Sequence, residues 1–197
     1  MKLDRTAARA LLLESYAAAV GAADPLKIVA DFLPPPHAEG KTLVVGAGKA
    51  AASMALAVEH AYAGRAQIEG LVVTRYAHGL PTEHIRVIEA GHPVPDEAGE
   101  QAAQEILDRV RALTENDRLI VLVSGGGSSL LSLPAEGIPM GDLKDVTREL
   151  LRCGAPITDM NIVRKHLSRI QGGRLAAASR APATTLIVSD VAGDDPS

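Results

Sequence analysis

Short, nearly continuous apolar runs alternating with longer helical stretches constrain this chain more than any other feature. Runs rich in Val, Ile and Leu occupy Thr42 to Val45, Gly70 to Thr74, Ile85 to Glu89, Leu119 to Val123 and Thr184 to Ser189. Their length suits strands, and their lack of polar interruption suits strands buried on both faces. Helical spacing fills the intervals from Lys49 to Tyr62, Asp96 to Leu113, Gly141 to Leu150 and Thr158 to Ile170. This order predicts an α/β fold with a largely parallel sheet and helices on both faces. In the last helix, Met160, Val163, Leu167 and Ile170 form the expected buried stripe, with Asn161, Lys165 and Ser168 aligned on another face.

Ahead of the first strand, Asp4 to Val20 has helical spacing, and Asp24 followed by Pro25 opens a second helix that stops before Pro34-Pro35-Pro36. Residues 1–36 are therefore expected to be a helical segment packed on the core, and residues 37–197 the α/β domain. Lys2 and the run Ala10 to Leu13 have some look of a signal peptide, but Glu14 interrupts it and the spacing is that of an amphipathic helix. At the other end, a strand runs into Asp190, Asp194 and Asp195. A fold seldom finishes on a loop carrying three carboxylates, so a domain incomplete at its C-terminal end is expected.

Composition narrows the function classes. With 47% hydrophobic residues in 197, the chain can bury a real core. A net charge of −4 and 2% aromatic residues leave neither the basic surface nor the stacking rings that nucleic-acid binding needs. No run approaches the ~20 apolar residues of a membrane span. The single Cys153 rules out an internal disulfide and a cysteine metal cage, which fits a reducing, cytoplasmic setting.

Ligands of open parallel sheets bind outside the carboxyl ends of the strands, and the chemistry-bearing motifs fall there. After the first strand comes Gly46-Ala47-Gly48-Lys49-Ala50-Ala51, a tight turn whose amides can face an anion at a helix start, with Lys49 adding a positive charge. The spacing also fits the dinucleotide fingerprint G-x-G-x-x-A, but the second strand ends in Thr74-Arg75, with no acid for a ribose. A tight turn with an exposed lysine is the plainer alternative. After the fourth strand, Ser124, Gly125, Gly126, Gly127, Ser128 and Ser129 can form a nest of N–H donors and hydroxyls for phosphate; a flexible linker is the alternative. His92 in Gly91-His92-Pro93-Val94-Pro95-Asp96 either orients a substrate or bonds its own loop, while Asp96 caps the next helix. Asn161 and Lys165 either hold an anion or form a solvated face. Asp190 and Asp194 either help to hold Mg²⁺ beside phosphates or belong to a polar turn.

In this order, the motifs Val-Gly-Ala-Gly-Lys-Ala (45–50), Gly-His-Pro-Val-Pro-Asp (91–96), Ser-Gly-Gly-Gly-Ser-Ser (124–129), Asn161 to Ser168 with Gly172 to Ala176, and Ser189 to Asp194 resemble the MOFRL-associated glycerate 2-kinases. The resemblance runs from about residue 5 to the end. It implies a Rossmann-like domain followed by a smaller C-terminal domain, with ATP-dependent phosphorylation of D-glycerate to 2-phosphoglycerate and Mg²⁺ as the metal. It further implies that Lys49 stabilises the moving phosphoryl group or holds glycerate, that residues 125–129 bind phosphate or carboxylate, and that Asp190 is the base or metal anchor. On this reading the partners are glycerate, a nucleotide and the absent C-terminal domain, homo-oligomers stay open, and residues 1–197 alone are inactive. Some members of the family are called hydroxypyruvate reductases, so NAD(P)-dependent reduction is the rival activity. A non-catalytic nucleotide-binding fragment is the other alternative.

Overall fold

The computed structural model describes residues 4–37, 39–189 and 191. Its centre is a five-stranded, all-parallel sheet in the order β3-β2-β1-β4-β5. The strands are β1 (Thr42–Ala47), β2 (Ile68–Arg75), β3 (Ile85–Ala90), β4 (Arg118–Ser124) and β5 (Ala183–Val188). Each matches an apolar run of the sequence to within a few residues. The order reverses between β1 and β4, so the crevice outside their carboxyl ends is the position where such folds take ligands.

Helices cover both faces because alternate residues of each strand point to opposite sides. On one side Leu43, Val45, Leu71, Val73, Leu119 and Val121 pack against Ala102, Ala103, Ile106, Leu107 and Val110 of α4 (Glu97–Arg111). On the other, Val44, Val72, Ile120 and Leu122 meet Met54, Ala55, Val58 and Tyr62 of α3 (Ala51–Tyr62). Val29, in a short 3-10 turn after α2 (Pro25–Ile28), joins this second cluster. The first helix, α1 (Arg5–Ala22), buries no side chain. Of the segment expected to pack on the core, the part around Val29 enters it.

Two expectations change. Strand β5 is not buried on both faces: its residues alternate between exposed and half-buried, and Ile187 is 64% exposed. It is the outer strand of the described sheet, paired on one side with β4. The last predicted helix is shorter than its spacing suggests. Helix α7 (Ile157–His166) has no buried residue, and Val163 of the expected stripe is exposed. Beyond it the chain turns extended: Ala135 N–H donates to Leu167 O, and Arg169 N–H donates to Leu133 O. That pairing carries Ile170 into the core and turns Ser168 away from the face of Asn161 and Lys165. The Ser168 hydroxyl instead accepts the amides of Ile170 and Gln171.

The start of β3 is held by a side chain with no sequence signature. Glu59 of α3 is 7% exposed, and its carboxylate accepts the amides of Glu83, His84 and Ile85 at 2.7–2.9 Å. Charge-assisted bonds of this kind contribute more than neutral ones, and removing the acceptor strands buried donors. Glu59→Ala is expected to lower the stability to urea unfolding by at least about 2 kcal/mol, whereas a surface helical glutamate would change it little.

Candidate active site

At the carboxyl end of β1 the chain makes a tight turn whose amides are all engaged within the protein. Gly48 N–H donates to Val73 O, Lys49 N–H to Gly125 O, Ala50 N–H to the Ser124 hydroxyl at 3.0 Å, and Ala51 N–H to Gly48 O. Glycine is required here by the neighbouring strand: a Cβ on Gly48, at φ +141°, would lie 2.1 Å from Ser124 Oγ, and one on Gly46 would lie 2.0 Å from Leu122 O. The turn therefore interlocks with β4, and the Lys49 side chain leaves it on the exposed rim.

The turn after β4 has the opposite character. Short helix α5 (Gly127–Leu130) follows Gly126, whose φ of +85° is left-handed. The amides of Ser129, Leu130 and Leu131 close back onto Gly126 and Gly127, while those of Gly126, Gly127 and Ser128 donate to no acceptor among the described residues. Three amides without a described acceptor thus sit in this loop. His92 packs directly over it: a Cβ on Gly126 would lie 2.6 Å from His92 Nε2.

The same corner gathers positive charge. Burial, then Lys49, then Arg75 hold the His92 pKa below its ordinary value. These three residues come from the ends of three different strands, β1, β2 and β3. Arg75 was read from the sequence as the absence of an acid; the structure makes it a cation of the site, with its Nε donating to His78 Nε2 at 2.6 Å. Asp96, the nearest loop carboxylate in sequence, is committed elsewhere. It caps α4 by accepting Gly99 N–H, and also accepts Gly91 N–H and the Tyr76 hydroxyl at 2.7 Å. Burial works to raise its pKa, but the Gly99, Tyr76 and Gly91 bonds outweigh it and hold the carboxyl below its ordinary range.

Helix α7 reaches the β4 turn through a residue that the motif reading passed over. Arg164 Nη2 donates to Ser129 Oγ at 3.2 Å, and Gln171 Nε2 donates to Ser128 O at 2.9 Å. Asn161 and Lys165 lie half-buried on α7, and no described hydrogen bond joins their side chains to the glycine turns. Arg164 is three residues past Asn161, so the i, i+3 spacing offered a signal for it. Asp190 and Asp194 lie outside the described residues. Among the described residues no group of three or more His, Cys, Asp or Glu could hold a metal ion, and no helix is long and apolar enough to cross a membrane.

Residues 11–197 match the model of a family described as a domain of unknown function, DUF4147. The chain belongs to this family, the N-terminal domain of the glycerate 2-kinases. It is similar to a glycerate 2-kinase from Pyrococcus horikoshii, 45% identical over 80% of the chain and 35% of that protein. A putative hydroxypyruvate reductase from Agrobacterium vitis is 48% identical over all of the chain and 45% of its own length. The crystal structure of glycerate kinase from Thermotoga maritima superposes with a TM-score of 0.86 at 37% identity, covering 96% of this chain and 46% of that one. The chain thus spans less than half the length of these family relatives.

Since the folded His92 pKa is depressed, the stability that a neutral ring contributes is present above the ordinary histidine range. It falls as pH drops through that range towards the folded value. An anion held beside Lys49, Arg75 and His92 offsets their repulsion, so NMR titration of the His92 ring is expected to show a higher pKa in inorganic phosphate. Lys49→Ala should shift it in the same direction by removing one repelling charge. A titration unmoved by both would take the anion out of this corner.

Proposed function

We propose that the protein carrying this chain is an ATP-dependent kinase that phosphorylates D-glycerate to 2-phosphoglycerate. The observation that carries the reading is the pair of cations Lys49 and Arg75, with His92 between them and the amides of Gly126, Gly127 and Ser128, which are unengaged among the described residues. It lies at the β1–β4 crevice of a domain similar to that of named glycerate kinases. Phosphoryl transfer asks little covalent chemistry of a protein; positioning and charge stabilisation do nearly all of it.

In this proposal the glycerate 2-hydroxyl gives its proton to Asp190 and attacks the γ-phosphorus, and ADP leaves with the electrons of the broken bond. Lys49 faces the charge on the transferring group, and the amides of 126–128 with the Ser128 and Ser129 hydroxyls receive phosphate or carboxylate oxygens. Asn161 and Lys165 line the α7 side of the cleft, and His92 closes over the glycine turn. Mg²⁺ needs only one or two protein carboxylates when phosphates supply its other ligands; Asp190 and Asp194 are the pair proposed to hold it, where it would neutralise charge on the phosphates. The portion of the relatives beyond this match is proposed to complete the cleft, so residues 1–197 alone are expected to bind without turnover. A cytoplasmic setting follows from the same reading.

Reduction of hydroxypyruvate is the second reading, favoured by the name that the Agrobacterium vitis relatives carry. A dinucleotide needs amides and an open glycine in the β1 turn for its pyrophosphate. Here those amides are engaged and the glycines face β4, which supports the kinase. Full-length protein should release ADP when given D-glycerate and ATP in a coupled assay, with no change at 340 nm from hydroxypyruvate and a nicotinamide cofactor. The converse result would reverse the assignment. Lys49→Ala is expected to lower kcat by at least ~100-fold, the scale of losing one transition-state donor, and near-normal turnover would remove Lys49 from the mechanism.

A further inference from the structure

Among the described residues, Arg164 is paired with no carboxylate. It projects from α7 against the β4 turn, and the Ser129 hydroxyl is its one hydrogen-bond partner among the described residues. The crease around it is lined by Pro95, Ser128, Ser132, Leu143, Ser168 and Gln171, among others, and by no carboxylate. Those polar groups have other commitments. Ser132 donates to the carbonyls of Ser128 and Ser129, Ser168 accepts two amides, and Gln171 donates to Ser128 O and Leu131 O. Burial lowers the Arg164 pKa.

A partly desolvated guanidinium is costly unless an anion compensates it. Its flat fork of five donors matches a carboxylate in a two-point contact, and here one donor is occupied, by a neutral hydroxyl. The surroundings also limit the ligand's size: the crease is narrow, about 10 Å³, so only the end group of a small ligand enters it, and Ser129 belongs to the glycine turn of the site. In the kinase reading the phosphates have cations of their own at Lys49 and Arg75, beside His92.

We infer that Arg164, together with the Ser129 hydroxyl, binds the carboxylate of the acceptor acid. The inference rests on the kinase reading and deepens it, because it separates the acceptor's recognition from that of the nucleotide. Arg164 is then the residue that distinguishes a hydroxy acid from an uncharged polyol.

The test is steady-state kinetics of the full-length protein with Arg164→Gln, Arg164→Lys and Ser129→Ala. Arg164→Gln is expected to raise KM for D-glycerate by roughly 10- to 150-fold, the range for a hydrogen bond to a charged group, with KM for ATP little changed. Arg164→Lys keeps the charge but loses the fork, so its KM should fall between those of wild type and Arg164→Gln. It also keeps the test informative if Arg164→Gln folds poorly. Glyceramide, the neutral amide analogue, should be used about equally by wild type and Arg164→Gln. An unchanged KM for D-glycerate overturns the inference, and so does a rise confined to KM for ATP, which would assign Arg164 to nucleotide phosphate. A lower melting temperature with unchanged KM would make Arg164 a structural cation. If wild type consumes no ATP, the kinase reading fails by itself; calorimetric titration of D-glycerate then decides Arg164, and equal affinity in wild type and Arg164→Gln overturns it.

Discussion

The close approach of β1 and β4 at their carboxyl ends organises everything around the crevice. Gly46 and Gly48 lack the Cβ atoms that would strike Leu122 O and Ser124 Oγ, and this lets the Ser124 hydroxyl accept the Ala50 amide while Gly125 O accepts that of Lys49. Two glycine turns that look equivalent in the sequence are thereby given different work. The β1 turn spends its amides on holding β4, and so fixes where Lys49 leaves the backbone. The β4 turn, anchored by that contact, is left with unengaged amides at 126–128. A site assembled this way needs no induced order in its loops, since each is held by a neighbouring strand, and such preorganisation favours electrostatic catalysis.

The strand pattern was legible because a parallel sheet writes its burial directly into the sequence; the order of the strands in the sheet was not. The unbroken apolar runs Leu43 to Val45 and Leu119 to Val123 announce two covered faces, and alternate residues do divide between the α3 and α4 clusters. The placement of the candidate site was legible in part: Lys49, His92 and the 124–129 turn all stand at strand ends near the crevice. Other features depended on partners distant in the chain. Glu59 looks like any charged helical residue until it meets the three amides before β3, and Arg75 looks like a missing acid until its charge reaches His92. The α7 stripe misled for a physical reason, because helical spacing continued through Leu167 and Ile170 while backbone pairing with residues 133–135 ended the helix first.

The distribution of charge explains why composition could exclude partners yet could not reveal the site. The chain carries a net charge of −4, which speaks against a polyanionic partner, but a small anion responds to the field at one point rather than to the total. At the crevice that field comes from Lys49 and Arg75, which both act on His92. Asp96 stands in the same loop and stays ionised, but its oxygens are turned to Gly91, Gly99 and Tyr76, so its charge serves helix capping and loop closure. Arg164 lies in a crease with no carboxylate among its described lining residues. The fold thus maintains two cationic positions on either side of one glycine turn, an arrangement suited to a reaction that must hold two anions close together and bring them into contact.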